Sequence, residues 1–158
     1  MSGELLYIEV LDQPAEVIVV DAGVDDVIDV FVNGETPVNY GAISVSIQGE
    51  LNGSIAADTE TIVEMPYDAK ISGWTLLEAD GNTCTIVIDI LKSNFIDFPT
   101  FTSIAGTEKP TITAGVKAQD IALSTWLQNV TKGDLIKILV VSNTGAKNIS
   151  LSLQLLKS

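Results

Sequence analysis

The sequence predicts an all-β protein: an antiparallel β-sandwich of jelly-roll type over residues 42–158, preceded by an extended N-terminal arm over residues 1–41. Three observations carry this. Apolar residues recur at every second position through most of the chain, the period at which successive side chains point to opposite faces of a strand. No segment sustains a 3.6-residue apolar period over three turns. Turn-forming residues interrupt the chain every ten residues or so, which leaves seven or more short strands, the pattern of a sandwich or jelly roll.

The first strand-like run covers residues 5–11, with Leu5, Tyr7, Glu9 and Leu11 on one face and Leu6, Ile8, Val10 and, just beyond, Asp12 on the other. Two more runs follow at residues 16–20 and 27–32. The turn-rich stretches Asn33-Gly34-Glu35-Thr36-Pro37 and Asn39-Tyr40-Gly41 then mark a boundary. About forty residues are too few for an independent core. They are expected to pack on the sandwich or to reach a neighbouring subunit.

Past the boundary, Ile43, Val45 and Ile47 alternate with Ser44, Ser46 and Gln48. Residues 71–78 and 83–91 flank Asp80-Gly81-Asn82, which reads as the turn of a β-hairpin. Residues 113–127 are the best helical candidate, yet Val116, Ile121, Leu123 and Trp126 form no single stripe. At most a short helical turn is expected there. Lys132-Gly133-Asp134 stops the chain before Ile136, Ile138 and Val140, which share a face opposite Lys137. The last strand sets Ile149, Leu151, Leu153 and Leu155 against Ser150, Ser152 and Gln154. Trp74 and Trp126 read as core.

A chain of 158 residues can bury about 68–70% of its unfolded surface. Its 46% apolar and 18% charged content argues against disorder. Histidine is absent and all eight basic residues are lysines. That removes Ser-His-Asp and Cys-His nucleophilic machinery, histidine zinc sites and arginine clamps on phosphate. No metal or cofactor is expected. The net charge of −13 is uneven: fourteen acidic residues and no lysine precede Lys70, whereas seven acidic residues and eight lysines follow from it onward. Such a field repels nucleic acid and anionic lipid. The acidic excess reads as a solubilising surface or, more sharply, as a docking segment for a basic partner. The first residues have no positively charged n-region, so no secretory signal is expected. The apolar runs are too short for a membrane span.

Carboxylates are the only catalytic groups in quantity. Among 21 acidic residues some pair meets a glycosidase spacing by chance, so that reading stands third and no enzyme is expected. Asp21, Asp25, Asp26 and Asp29 crowd around Gly23, but their spacing is not a calcium loop and reads as a charged turn. Cys84 alternates in phase with Ile86, Ile88 and Ile90 and reads as a buried thiol. The loop holding Phe95, Phe98 and Phe101 is expected to close the end of the core. Its alternative role is a ligand loop, since exposed aromatics stack on sugars or anchor a protein partner.

From Ile43 onward the sequence resembles a family of small β-domains in structural proteins of tailed bacteriophages, often assigned to tail fibres or minor virion proteins. The resemblance rests on Gly73-Trp74-Thr75-Leu76-Leu77, Thr85-Ile86-Val87-Ile88-Asp89-Ile90, Lys92 with Phe95, Phe98 and Pro99, Ser103-Ile104, and Lys109-Pro110-Thr111. It continues through Lys117-Ala118-Gln119-Asp120, Trp126, Gly133-Asp134 and Leu151-Ser152-Leu153, spanning residues 43–157. Where the family usually has Trp before the lysine this chain has Leu91, and where it tends to a double proline this chain has Pro99-Thr100.

The resemblance implies a virion structural protein, a knob on the particle surface. With only some forty residues ahead of the knob and no coiled-coil or repeat shaft, a capsid decoration or cement protein is expected first, and a short tail-fibre or tail-tip module binding host carbohydrate or protein second. The arm would anchor it to other virion proteins, above all the major capsid protein, through Leu5, Tyr7, Ile8, Val10, Asp12, Asp25 and Asp26. A homo-oligomer, most simply a trimer, is expected because virion knobs are commonly trimeric and because Val87 and Leu91 make the strand at 84–91 apolar on its second face too.

Overall fold

A computed structural model of the protein describes residues 40–157 and, upstream, the backbone of residues 7–8, 18–22 and 28–31. Among the described residues the regular secondary structure is β-strand, apart from a single 3-10 turn at Glu50–Asn52. The chain divides into two compact units, Met1–Val38 and Asn39–Ser158.

In the first unit, β1 (Tyr7–Ile8), β2 (Ile18–Ala22) and β3 (Ile28–Phe31) pair antiparallel in the order β1-β2-β3. β1 and β3 lie within the strand-like runs at 5–11 and 27–32, and β2 overlaps the run at 16–20 and extends two residues past it. Tyr7 pairs with Val19 and Ile8 with Ile18, and Asp21 faces Asp29 across the second pair. The segment expected to extend as an arm thus pairs its strands with one another.

The second unit contains β4 (Tyr40–Gln48), β5 (Glu60–Glu64), β6 (Ala69–Glu78), β7 (Cys84–Ser93), β8 (Thr102–Ser103), β9 (Thr111–Gly115), β10 (Lys117–Asp120), β11 (Asn129–Val130), β12 (Leu135–Thr144) and β13 (Asn148–Lys157). One sheet has the order β10-β6-β13-β4, with β11 also on β6. The other has β5-β12-β7-β8, with β9 also on β7. The connectivity is that of a jelly roll. Early strands pair with late ones, β4 with β13, β5 with β12, β6 with β10 and β11, and β7 with β8 and β9, as in one long folded hairpin. Rolling that hairpin joins β13 to β6 and β12 to β7, which divides it into two facing sheets.

Alternation decides what fills the space between them. Ile86, Ile88 and Ile90 of β7, Ile136, Ile138 and Val140 of β12, and Ile149, Leu151, Leu153 and Leu155 of β13 are all buried, as are Trp74 and Trp126. Ile47 is buried at 6% exposure, but Ile43 and Val45 only lean on the core. Their strand, β4, is the sheet's outer strand, so one flank of each side chain stays open.

The Asp80-Gly81-Asn82 turn forms, with Gly81 at φ +76°, but it is not the turn of a hairpin. β6 and β7 lie in opposite sheets, each paired with a strand from the far end of the chain. The connection therefore crosses the roughly 10 Å between stacked sheets. Glu78, 4% exposed, secures this crossing. Its carboxylate accepts bonds from Asn82 N (2.6 Å), Asn82 Nδ2 (3.2 Å) and Lys147 N (3.3 Å), tying the β6–β7 connection to the β12–β13 turn. Burial pushes the carboxyl up, but these bonds, with the Asn148 backbone, together hold it below the ordinary glutamate value.

Residues 113–127 form no helix. After β9 and β10 the chain is held irregular by Glu108, whose carboxylate accepts from Ser124 Oγ, Thr125 N (2.8 Å) and Thr125 Oγ1 (3.2 Å). The Ser124 and Thr125 bonds hold that carboxyl below its usual range. Trp126 Nε1 donates to Glu108 O at 2.9 Å, so the indole is buried with its N–H satisfied.

Candidate functional site

The site is built where β7 ends. Beyond Ser93 the chain turns tightly because Asn94 and Asp97 bond each other twice: Asp97 N donates to Asn94 Oδ1 (2.8 Å) and Asn94 Nδ2 to Asp97 Oδ2 (2.6 Å). Thr100 N then donates to Asp97 O at 2.8 Å, and the Phe98–Pro99 peptide is cis. The loop returns into β8, which pairs back onto Leu91 and Lys92.

This turn overturns the expectation that the phenylalanines close the core. Phe95 is 85% exposed, Ile96 91% and Phe98 50%. The Asn94–Asp97 bonds place Phe95 and Ile96 at the middle of the turn, where side chains project outward. Met65 and Ile104 are buried in the core instead. Phe101 alone is half-buried. Its ring packs edge-on against Phe98 (5.9 Å, 84°) and lies under Lys137 Nζ at 4.5 Å. Lys137 also bonds Glu60 Oε2 at 2.8 Å. Since Lys137 pairs with Leu91 across the sheet, this cluster lies on the outer face of the β5-β12-β7-β8 sheet. On that face Val87 and Leu91 are half-buried in the single chain.

Asp89 lies there too, between Val87 and Leu91, and is buried at 6% exposure. It accepts from Ser103 Oγ at 2.7 Å and pairs with Lys109 at 2.7 Å. A charged residue mid-strand survives burial here because both its carboxylate oxygens are matched.

Beside the loop opens a polar pocket of about 400 Å³, lined by Lys92, Asn94, Asp97, Thr100, Thr102 and Asp134, with apolar contributions from Ile104 and Leu127. The pairing of β7 with β12 sets Lys92 opposite Ile136 and so brings its amine to Asp134, with Nζ–Oδ2 at 3.2 Å. Asp134 Oδ2 also accepts from Thr131 N (2.8 Å) and Thr131 Oγ1 (3.2 Å), and Lys92 Nζ donates to Asn129 O (3.3 Å). In the sequence Asp134 reads as a turn residue, and both it and Lys92 enter the resemblance, but nothing there joins the two. No periodicity announces that two distant turns share one pocket.

Cys84 is buried at 3% exposure. Burial, and then the nearby charge of Glu78, push its thiol up, the opposite of what a nucleophile needs. Of the residues expected to anchor the chain, Tyr7 and Ile8 lie in β1. Leu5, Val10, Asp12, Asp25 and Asp26 lie outside the described residues. Among the described residues no group of three or more acidic, cysteine or histidine side chains gathers to hold a metal.

Fold and site together define an acidic chain with a jelly-roll domain that presents an aromatic loop and a polar pocket at one end. No family model matches the chain and no curated protein does. Among solved structures it is similar to a chain of the capsid of Ralstonia phage GP4, at 20% identity and a TM-score of 0.48, over 76% of this chain and 85% of that one. At that distance, function has to be argued from the residues.

Proposed function

We propose that the protein is a structural component of a tailed-bacteriophage particle: a jelly-roll knob on the virion surface that decorates or cements the capsid without catalytic activity. The observation that carries this reading is the division of the chain. Residues 39–158 close their own jelly roll, and residues 43–157 are the stretch that resembles phage virion β-domains. Met1–Val38 is a compact unit of its own, whose described residues form three short paired strands. On this reading Met1–Val38 is the anchor. Its carboxylates select a lysine- or arginine-bearing surface, above all on the major capsid protein, and orient the approach. The knob assembles as a homotrimer.

A tail-tip role is the second reading, favoured by the exposed Phe95, Ile96 and Phe98, which suit contact with a host surface. Copy number separates the two. Hundreds of copies per particle by quantitative mass spectrometry support the capsid, and a few dozen or fewer support the tail. Anchoring is tested by deleting residues 1–38: the truncated protein stays folded but no longer binds particles lacking it. If the truncated protein binds as well as the full chain, the anchor lies in the knob. Full-length attachment slows as ionic strength rises, because steering between exposed charges is screened.

A further inference from the structure

The geometry points to a binding site for a neutral sugar in the polar pocket beside the 94–101 loop. The donors and acceptors left over in the pocket are what a sugar ring requires. Asp134 Oδ2 takes every bond that its carboxylate accepts, from Lys92, Thr131 N and Thr131 Oγ1. Its Oδ1 has no hydrogen-bond partner among the described residues. Asp97 is alike: Oδ2 accepts from Asn94, and Oδ1 is unpartnered among the described residues. On the donor side, Lys92 Nζ has a third N–H beyond those used on Asp134 and Asn129, and Asn94 Nδ2 has a second. Thr100 and Thr102 line the same space, and a threonine hydroxyl donates or accepts as needed.

Each hydroxyl of a pyranose donates one bond and accepts others. A carboxylate oxygen beside an ammonium or amide N–H therefore matches a pair of neighbouring hydroxyls, with charge-assisted bonds on both sides. Ile104 and Leu127 supply apolar wall for the ring's C–H face. A volume of about 400 Å³ is at the small end of ligand pockets and suits one ring. The pocket's charge selects among sugars. With one lysine against two carboxylates, an anionic sugar or a phosphate meets net repulsion, whereas a neutral hexose or N-acetylhexosamine does not. The mutual bonds of Asn94 and Asp97 hold two of the site's groups in place before any ligand arrives, which lowers the entropy cost of binding.

This site does not depend on whether the knob sits on capsid or tail, so its failure leaves the proposed structural role untouched. The test is NMR shift mapping on the full-length protein with the methyl glycosides of glucose, galactose, mannose and N-acetylglucosamine, and with N-acetylneuraminic acid as the anionic probe. At least one neutral glycoside should give saturable shifts at the amides of Asn94, Asp97 and Thr100, and the anionic probe none. Asp97→Asn and Thr102→Val, both at exposed positions of a folded chain, should each weaken that binding at least about tenfold, the loss of one hydrogen bond to a charged or buried partner. The proposal is overturned if no neutral glycoside gives saturable shifts up to about 50 mM, or if the shifts fall elsewhere. It is equally overturned if N-acetylneuraminic acid binds as well, or if either variant binds unchanged.

Discussion

Replacing Glu78 with glutamine tests how the two sheets are clamped. Oε2 receives the short bond from Asn82 N (2.6 Å), and Oε1 receives Asn82 Nδ2 and Lys147 N (3.2 and 3.3 Å). Glutamine cannot serve all three. With its amide nitrogen at the first position, N–H faces N–H and the shortest bond is lost. With the nitrogen at the second, two bonds are lost. A hydrogen bond to an ionised acceptor contributes about 1.5–3 kcal/mol, so Glu78→Gln should destabilise the jelly roll by about 2–3 kcal/mol near neutral pH.

The pH dependence sharpens the test. The folded-state pKa of Glu78 is depressed. Its stabilisation is therefore complete above the unfolded glutamate value of about 4.3 and is lost as pH falls through the lower folded value. Once protonated, Glu78 is as neutral as the glutamine that replaces it, so the gap between native and variant should narrow on acidification. The assay is urea unfolding followed by tryptophan fluorescence. Trp74 and Trp126 are both buried in the jelly roll, so the signal reports that unit alone. A gap under about 0.5 kcal/mol near neutral pH, the noise of a surface change, would refute the clamp. So would a gap of unchanged size at about pH 3.

The remaining predictions concern packing and charge. Ile138→Ala, at a fully buried centre of β12, should cost about 2–5 kcal/mol, and Ile43→Ala on the outer strand clearly less, by urea unfolding. Equal costs would contradict the burial difference. Lys109→Met leaves Asp89 buried without its cation. Because the lysine is 32% exposed, the cost should be about 1–3 kcal/mol, below the roughly 3–5 kcal/mol of a fully buried pair, and Asp89→Asn made in the same background should recover part of it. Phe95→Ser should change stability by no more than about 0.5 kcal/mol; a loss of several kcal/mol would mean that the ring caps the core after all.

Fold class was legible in the sequence because burial between two sheets imposes a period of two, and Ile136, Ile138 and Val140, or Ile149 through Leu155, have no other use for it. The same logic placed Cys84 inside, in phase with Ile86, Ile88 and Ile90. Pairing was not legible. The Asp80-Gly81-Asn82 turn has the composition of a hairpin, but whether its flanking strands bond each other or cross between sheets depends on partners at the far end of the chain. Aromatic composition alone did not tell inside from outside at Phe95 and Phe98. That was decided by two side-chain bonds between Asn94 and Asp97, which turn the chain so that its apolar tip faces water. The pocket was the least legible feature. Lys92 and Asp134 are an ordinary strand-end residue and an ordinary turn residue in sequence, and only the register of β7 against β12 brings amine to carboxylate. Alternation is a local property that every strand states for itself, whereas a site made by two turns exists only once the sheet between them has closed.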